Sequence, residues 1–154
     1  MARAQALLQS AAGERLRTTI TFAQPLAARE VEELLRNAGV EAASYTQVGW
    51  TADGQRMAST IFKEPGATDF DLERAAQEAI SSDPAAPDYG ATMAGFMVMD
   101  GFMTISEQSL GRLLADPRVY LVDTTAYEAQ KLVGAADAVV RLPTPFWDLD
   151  WGDE

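Results

Sequence analysis

The sequence contains neither cysteine nor histidine. Without cysteine there is no disulfide, no thiolate nucleophile and no sulfur ligand, and the redox compartment leaves no mark. Without histidine there is no Ser-His or Cys-His pair and no imidazole for a metal. Basic residues are scarce: 12 Lys+Arg stand against 23 Asp+Glu, a formal net charge of -11. That field repels phosphate, so nucleic acid is not expected as a partner. Long apolar runs are missing as well. The opening, Met1 to Ala12, is broken by Arg3, Gln5 and Gln9. It is too polar for a signal-peptide core, and no stretch reaches the roughly 18 apolar residues of a membrane span. The chain is expected not to insert into a membrane. It carries no address for a compartment, and an extracytoplasmic origin implies an anchor or signal outside it. No repeat of fixed period is visible.

What remains is ordinary globular material, with 47% hydrophobic and 23% charged residues over 154 positions. A domain of this size buries about 68–70% of its unfolded surface. No cofactor or metal is therefore expected for stability. One domain is expected over 1–142, followed by an acidic, aromatic tail over 143–154.

Period-two alternation of Leu16, Thr18, Ile20 and Phe22 predicts a strand over 16–23, ended by Gln24-Pro25. Val31, Leu34 and Leu35 fall on one face of a helix over 27–38. Leu26 and Val31 have the spacing of a hydrophobic staple, and Gly39 sits where a left-handed cap belongs. A second strand follows over 40–50, with Tyr45 and Val48 as packing residues. Asp53-Gly54 predicts a hairpin turn into a third strand over 56–63. Thr68 is placed to cap a helix reaching about Ser82, with Phe70, Leu72, Ala76, Ala79 and Ile80 available for burial. Residues 82–90 read as a loop.

The Met-rich run from Gly95 to Ile105 is either one strand with a bulge at Gly101 or a tight hairpin. Ser106 caps a helix to about Ala115, with Leu110, Leu113 and Leu114 facing inward. Asp116-Pro117 ends it, and a short buried strand over 118–122 follows. A last helix is predicted over 126–133, then an extended tail. The outline is an α+β, ferredoxin-like two-layer sandwich with an inserted strand-helix unit at about 51–90.

The segment Ile105 to Asp123, ISEQSLGRLLADPRVYLVD, resembles the last helix and strand of subtilisin propeptide-like inhibitor domains. Ser106, Leu110, Leu113, Asp116, Pro117 and Val119 carry the likeness. The start, TTITF followed by AAREVEELLRNAG, resembles the first strand and helix of that family. The resemblance covers about 16–50 and 93–123. It implies the same sandwich, and an activity as protease inhibitor or folding helper.

Candidate sites are few. Asp148, Asp150, Asp153 and Glu154 offer oxygen ligands without the spacing of a calcium loop, so they read as a solvated tail. Trp147, Leu149 and Trp151 alternate with acids, and with Phe146 they are the candidate partner-binding residues. Packing of those aromatics back onto the domain is the competing reading. Met93, Met97, Met99 and Met103 read as core filling rather than a copper site. Glu32-Glu33 and Asp69-Asp71 read as solvated faces or helix-start charges. No catalytic, metal or cofactor residue is assigned. The expected function is non-catalytic protein binding, as the soluble part of a larger envelope or membrane-associated assembly. The alternative is a protease inhibitor or propeptide-like folding helper.

Overall fold

The computed structural model describes residues 2–81 and 92–125. The element order is α1 (Ala2–Ala11), β1 (Arg15–Leu26), α2 (Ala28–Ala38), β2 (Val40–Trp50), β3 (Arg56–Phe62), α3 (Leu72–Ser81), β4 (Thr92–Thr104), α4 (Glu107–Ala115) and β5 (Val119–Asp123). The fold is mixed α+β. One antiparallel sheet has the order β3-β2-β4-β1-β5. β4 lies between β1 and β2 and pairs with both.

The main core contains residues from all four described helices and from the sheet face beneath them. Leu16, Ile20, Phe22, Met99 and Met103 supply the sheet side; Val31, Leu34, Leu72, Leu110 and Leu113 supply the helix side. A smaller cluster joins Val48, Met97 and Val98, with Trp50 and Ala94 packed against it. The register places Val48 and Val98 on the opposite face of the sheet. Met97, Met99 and Met103 are fully buried, as unbranched, polarizable fillers of an irregular core.

Local chemistry explains the boundaries. Gly39 ends α2 at φ 69°, its N–H donating to the carbonyls of Leu35 and Arg36. Glu30 closes the other end by accepting from the Ala27 N–H at 2.9 Å. Ser106 Oγ accepts from the Ser109 N–H, and Ser109 Oγ accepts from the Ser106 N–H, both at 3.0 Å. Asp116 lies in the extended region, as a residue before proline should.

Several expectations are corrected. Residues 2–11, which the sequence outline leaves without an element, form a helix that buries Ala11 in the core. Their Ala, Leu, Gln and Arg content is strong helix-forming material. No described helix is long and apolar enough to cross a membrane. Gln24-Pro25 does not end β1. Pairing with β4 lapses after Thr21 and resumes at Leu26 opposite Phe96, because proline removes a donor without forbidding extended backbone. Residues 92–104 are one strand, not a hairpin, and near Gly101 the extra residue lies in β2, where Ala43 is skipped between the Ala42–Gly101 and Ser44–Asp100 pairs; β4 itself gains a residue on β2 at Met97 and at Ala94. Thr68 does not cap α3; Asp71 does, accepting from the Arg74 N–H at 2.9 Å. Leu114 is 57% exposed, since the inward stripe of α4 runs through Leu110 and Leu113. β5 is not buried: it is an edge strand with Tyr120 and Leu121 exposed. The loop at 82–90, the helix at 126–133 and the tail lie outside the described residues.

Leu113→Ala is expected to cost about 2–5 kcal/mol in denaturant unfolding, as a large-to-small core change. Leu114→Ala should stay within about 0.5 kcal/mol, the range of surface positions. A reversal of that ranking removes the assigned face of α4. Thr18 is fully buried, and its Oγ1 has no hydrogen-bond partner among the described residues. Exchanging that hydroxyl for a methyl of similar shape removes an unrewarded desolvation. Thr18→Val should therefore raise unfolding stability by about 1 kcal/mol, and a loss of stability would show that the hydroxyl is satisfied.

Candidate functional site

β3 and α3 build a strongly charged concavity. β3 forms an unbroken antiparallel ladder with β2, from Ser44–Phe62 to Trp50–Arg56. Ile61 faces Tyr45 and enters the main core, so its neighbour Phe62 must face away. Phe62 is 78% exposed. Beyond it the chain turns at Gly66 and crosses to α3, whose Leu72 and Ala76 anchor it on the core. Between these elements lies a groove of about 500 Å³, lined by Phe62, Phe70 and the first turns of α3.

Its charge is one-sided. Glu64, Asp69, Asp71 and Glu78 line it against the single guanidinium of Arg74. Arg74 reaches Glu78 at 3.8 Å across an exposed helical turn. Asp71 has a second task as the α3 cap, where a carboxylate also meets the positive end of the helix dipole. The reading of Asp69-Asp71 as helix-start charges thus holds for Asp71, but both acids also share a groove wall with Phe62.

Phe70 separates this groove from a second cleft, also of about 500 Å³, on the side of α2. The Phe70 ring stacks on Tyr45 at 5.9 Å, and Tyr45 meets Phe96 edge-on at 6.1 Å. Lys63 Nζ lies 5.8 Å from the Phe70 centroid, within cation–π range. Burial pushes the Tyr45 hydroxyl up to about 12, and the nearby Glu32 carboxylate adds to the shift. Tyr45 is therefore held as a neutral phenol whose ring packs against Phe70 and Phe96.

The helix-free sheet face carries a row of polar pairs. Ser44, Asp100, Thr19 and Asp123 lie side by side across β2, β4, β1 and β5. Thr19 Oγ1 donates to Asp100, and Asp123 accepts from the Thr125 N–H at 2.8 Å. At the start of β1, Arg15 pairs with Glu41 and lies 4.9 Å from the Phe102 centroid. Each of these carboxylates has a local structural partner. At the end of α4, Asp116 binds Arg118 through Nε at 2.9 Å and Nη2 at 2.7 Å, a two-point grip on one guanidinium.

The sequence-predicted binding residues Phe146, Trp147, Leu149 and Trp151 lie outside the described residues. Glu32 and Glu33 separate in role: Glu32 lines the cleft beside Tyr45, while Glu33 adds to the field that favours the charged form of Arg118. The groove at Phe62 was missed in the sequence. Its signal was present in the adjacent apolar pair Ile61-Phe62, only one of which a half-buried strand can bury. Comparison with known proteins returns no match: no family model fits the chain, and no curated protein or solved structure matches it significantly.

The Asp116–Arg118 contact predicts a pH dependence. The hydrogen bond from Arg118 holds the Asp116 carboxyl below its usual value. A carboxylate with a lowered folded value contributes stability above its unfolded value of about 4, lost as pH falls through the folded one. Asp116→Asn should therefore be less stable than the parent at neutral pH, and the gap should close on acidification. A gap that is constant with pH would mean that the ion pair contributes nothing.

Proposed function

We propose that the chain is a non-catalytic protein-binding domain whose partner is basic and partly apolar. The observation that carries this reading is the groove at Phe62, where an exposed phenylalanine borders a wall of four carboxylates and one guanidinium. Exposed aromatic anchors are the usual source of binding energy, and surrounding charge sets partner choice and encounter rate. The net charge of -11 points the same way. The run from Phe146 to Glu154, in which Trp147, Leu149 and Trp151 alternate with acids, adds a second contact of similar chemistry.

The fold is read as ferredoxin-like with an added edge. Setting β3 aside leaves the order β2-β4-β1-β5. β1-α2-β2 then straddles β4, and β4-α4-β5 straddles β1, which is the arrangement of two split β-α-β units. A protease inhibitor or propeptide-like folding helper is the second reading. It is favoured by the segment from the Ser106 cap through Asp116-Pro117 into the edge strand β5.

Affinity capture from the native source, with identification of what binds, tests the first reading. A basic protein partner is expected, and Glu64→Lys with Asp69→Lys should abolish its capture while leaving the circular dichroism spectrum intact. Capture unaffected by that double change removes the groove as the binding surface. Undiminished peptide turnover by a subtilisin-type protease in the presence of excess chain is expected. Stoichiometric inhibition would instead establish the second reading.

A further inference from the structure

The two edges of the sheet are not alike. β5 has five residues and loses register against β1 at Tyr120. Short, irregular edges are poor templates for another strand. β3 has seven residues, pairs with β2 without a shift, and contains no proline.

The phase of the β3 ladder says which backbone groups face outward. The Lys63 N–H donates to the Ala43 carbonyl at 2.9 Å. In an antiparallel pair, hydrogen-bonded and non-bonded positions alternate. The Ile61–Tyr45 and Ser59–Gln47 pairs therefore exchange hydrogen bonds with β2. The N–H and C=O groups of Ala58, Thr60 and Phe62 point out of the sheet. All three residues are exposed. The acidic groove runs beside this same edge, with Phe62 belonging to both.

We propose that β3 is a docking edge that accepts an extended, basic, partly apolar segment of a partner protein as a sixth strand. The proposal rests on the protein-binding reading above and deepens it. Main-chain bonds to Ala58, Thr60 and Phe62 supply the pairing, as in other β-strand additions. Side chains of an added strand alternate between faces. One set lies beside Phe62 and takes apolar residues. The other reaches the α3 side, where Glu64, Asp69 and Glu78 select lysine or arginine. A second copy of this chain is disfavoured as the occupant, because β3–β3 pairing brings two acidic grooves together, and like charges across an interface are repulsive.

The test uses the full chain and blocked peptides that alternate lysine and valine. Three versions are compared: the lysine peptide, its glutamate counterpart, and a lysine peptide N-methylated on alternate amides. Binding of the first is expected, with slowed amide exchange at Ala58, Thr60 and Phe62. The other two should bind at least about tenfold more weakly, one through charge repulsion and one through loss of main-chain donors. Thr60→Pro should also lose the peptide while keeping the fold, since a proline is tolerated where its missing N–H faces solvent on an edge strand. If that variant fails to fold, the N-methylated peptide on the parent chain still tests the main-chain pairing. Lysine-peptide binding indifferent to N-methylation would overturn strand addition while leaving the acidic groove as a binding surface. Absence of any lysine-peptide binding would overturn the proposal, and so would concentration-dependent dimerisation that slows exchange at β3 without peptide.

Discussion

The extra residue at Ala43, next to the close approach of β2 to β4 at Gly101, sets the phase of β2 and of β3 beyond it. A Cβ at Gly101 would lie 2.3 Å from the Glu41 carbonyl oxygen and 2.9 Å from the Ala42 Cα. Only glycine permits that contact. Immediately afterwards β2 gains one residue on β4 at Ala43. The extra residue inverts the phase of the strand. Before it, Val40 and Ala42 face the helices; after it, Tyr45 and Gln47 do, and Gln47 reaches the Ala76 carbonyl of α3 at 3.4 Å. β3 inherits this phase through its ladder. Ile61 goes in opposite Tyr45, and Phe62 goes out opposite Ser44. The outward orientation of Phe62 thus follows from one extra residue in the neighbouring strand.

The elements with strong local chemistry were legible in the sequence. α2 has its leucine stripe and Gly39; α4 has Ser106 and Asp116-Pro117; the β2–β3 hairpin has Asp53-Gly54. In each case the deciding interactions lie within a few residues. What failed to show depended on contacts far apart in the chain. Whether Gly101 marks a hairpin or a continuous strand turns on the backbone of β2, about sixty residues earlier. Leu114 looks as apolar as Leu113, and only the tilt of α4 on the sheet separates them. Thr68 and Asp71 are both good caps by type, and the choice falls to Asp71 because Leu72 and Ala76 must turn toward the core. The candidate site was legible least. Its acids are dispersed over Glu64 to Glu78 and become one surface only when α3 folds across the end of β3.

Electrostatics divides the molecule in the same way. Away from β3 and α3, two ion pairs match charge locally, Arg15 with Glu41 and Arg118 with Asp116, while the Asp100 carboxylate keeps its charge and is held by the Thr19 hydroxyl. Such pairs are worth little as stability when exposed, yet they leave no strong local field. Around β3 and α3 the acids outnumber their partners. A concave, partly apolar wall with unbalanced charge focuses potential outward.

The β3–α3 unit therefore changes what the sheet can do more than how it stands. β1, β2, β4 and β5, with α2 and α4, supply most of the larger buried side chains, and β3 and α3 add Ile61, Leu72 and Ala76 to that core. Those three anchors are enough to hold the unit in register. The rest of its surface is free to carry an outward-facing ladder edge, an unburied phenylalanine and a line of carboxylates. Each of these features is unfavourable or neutral for an isolated domain, since open edges invite association and like charges repel. Their coincidence on the β3–α3 unit, while the opposite edge of the sheet is short and irregular, is the physical argument for proposing that unit as the part of the chain that meets something else.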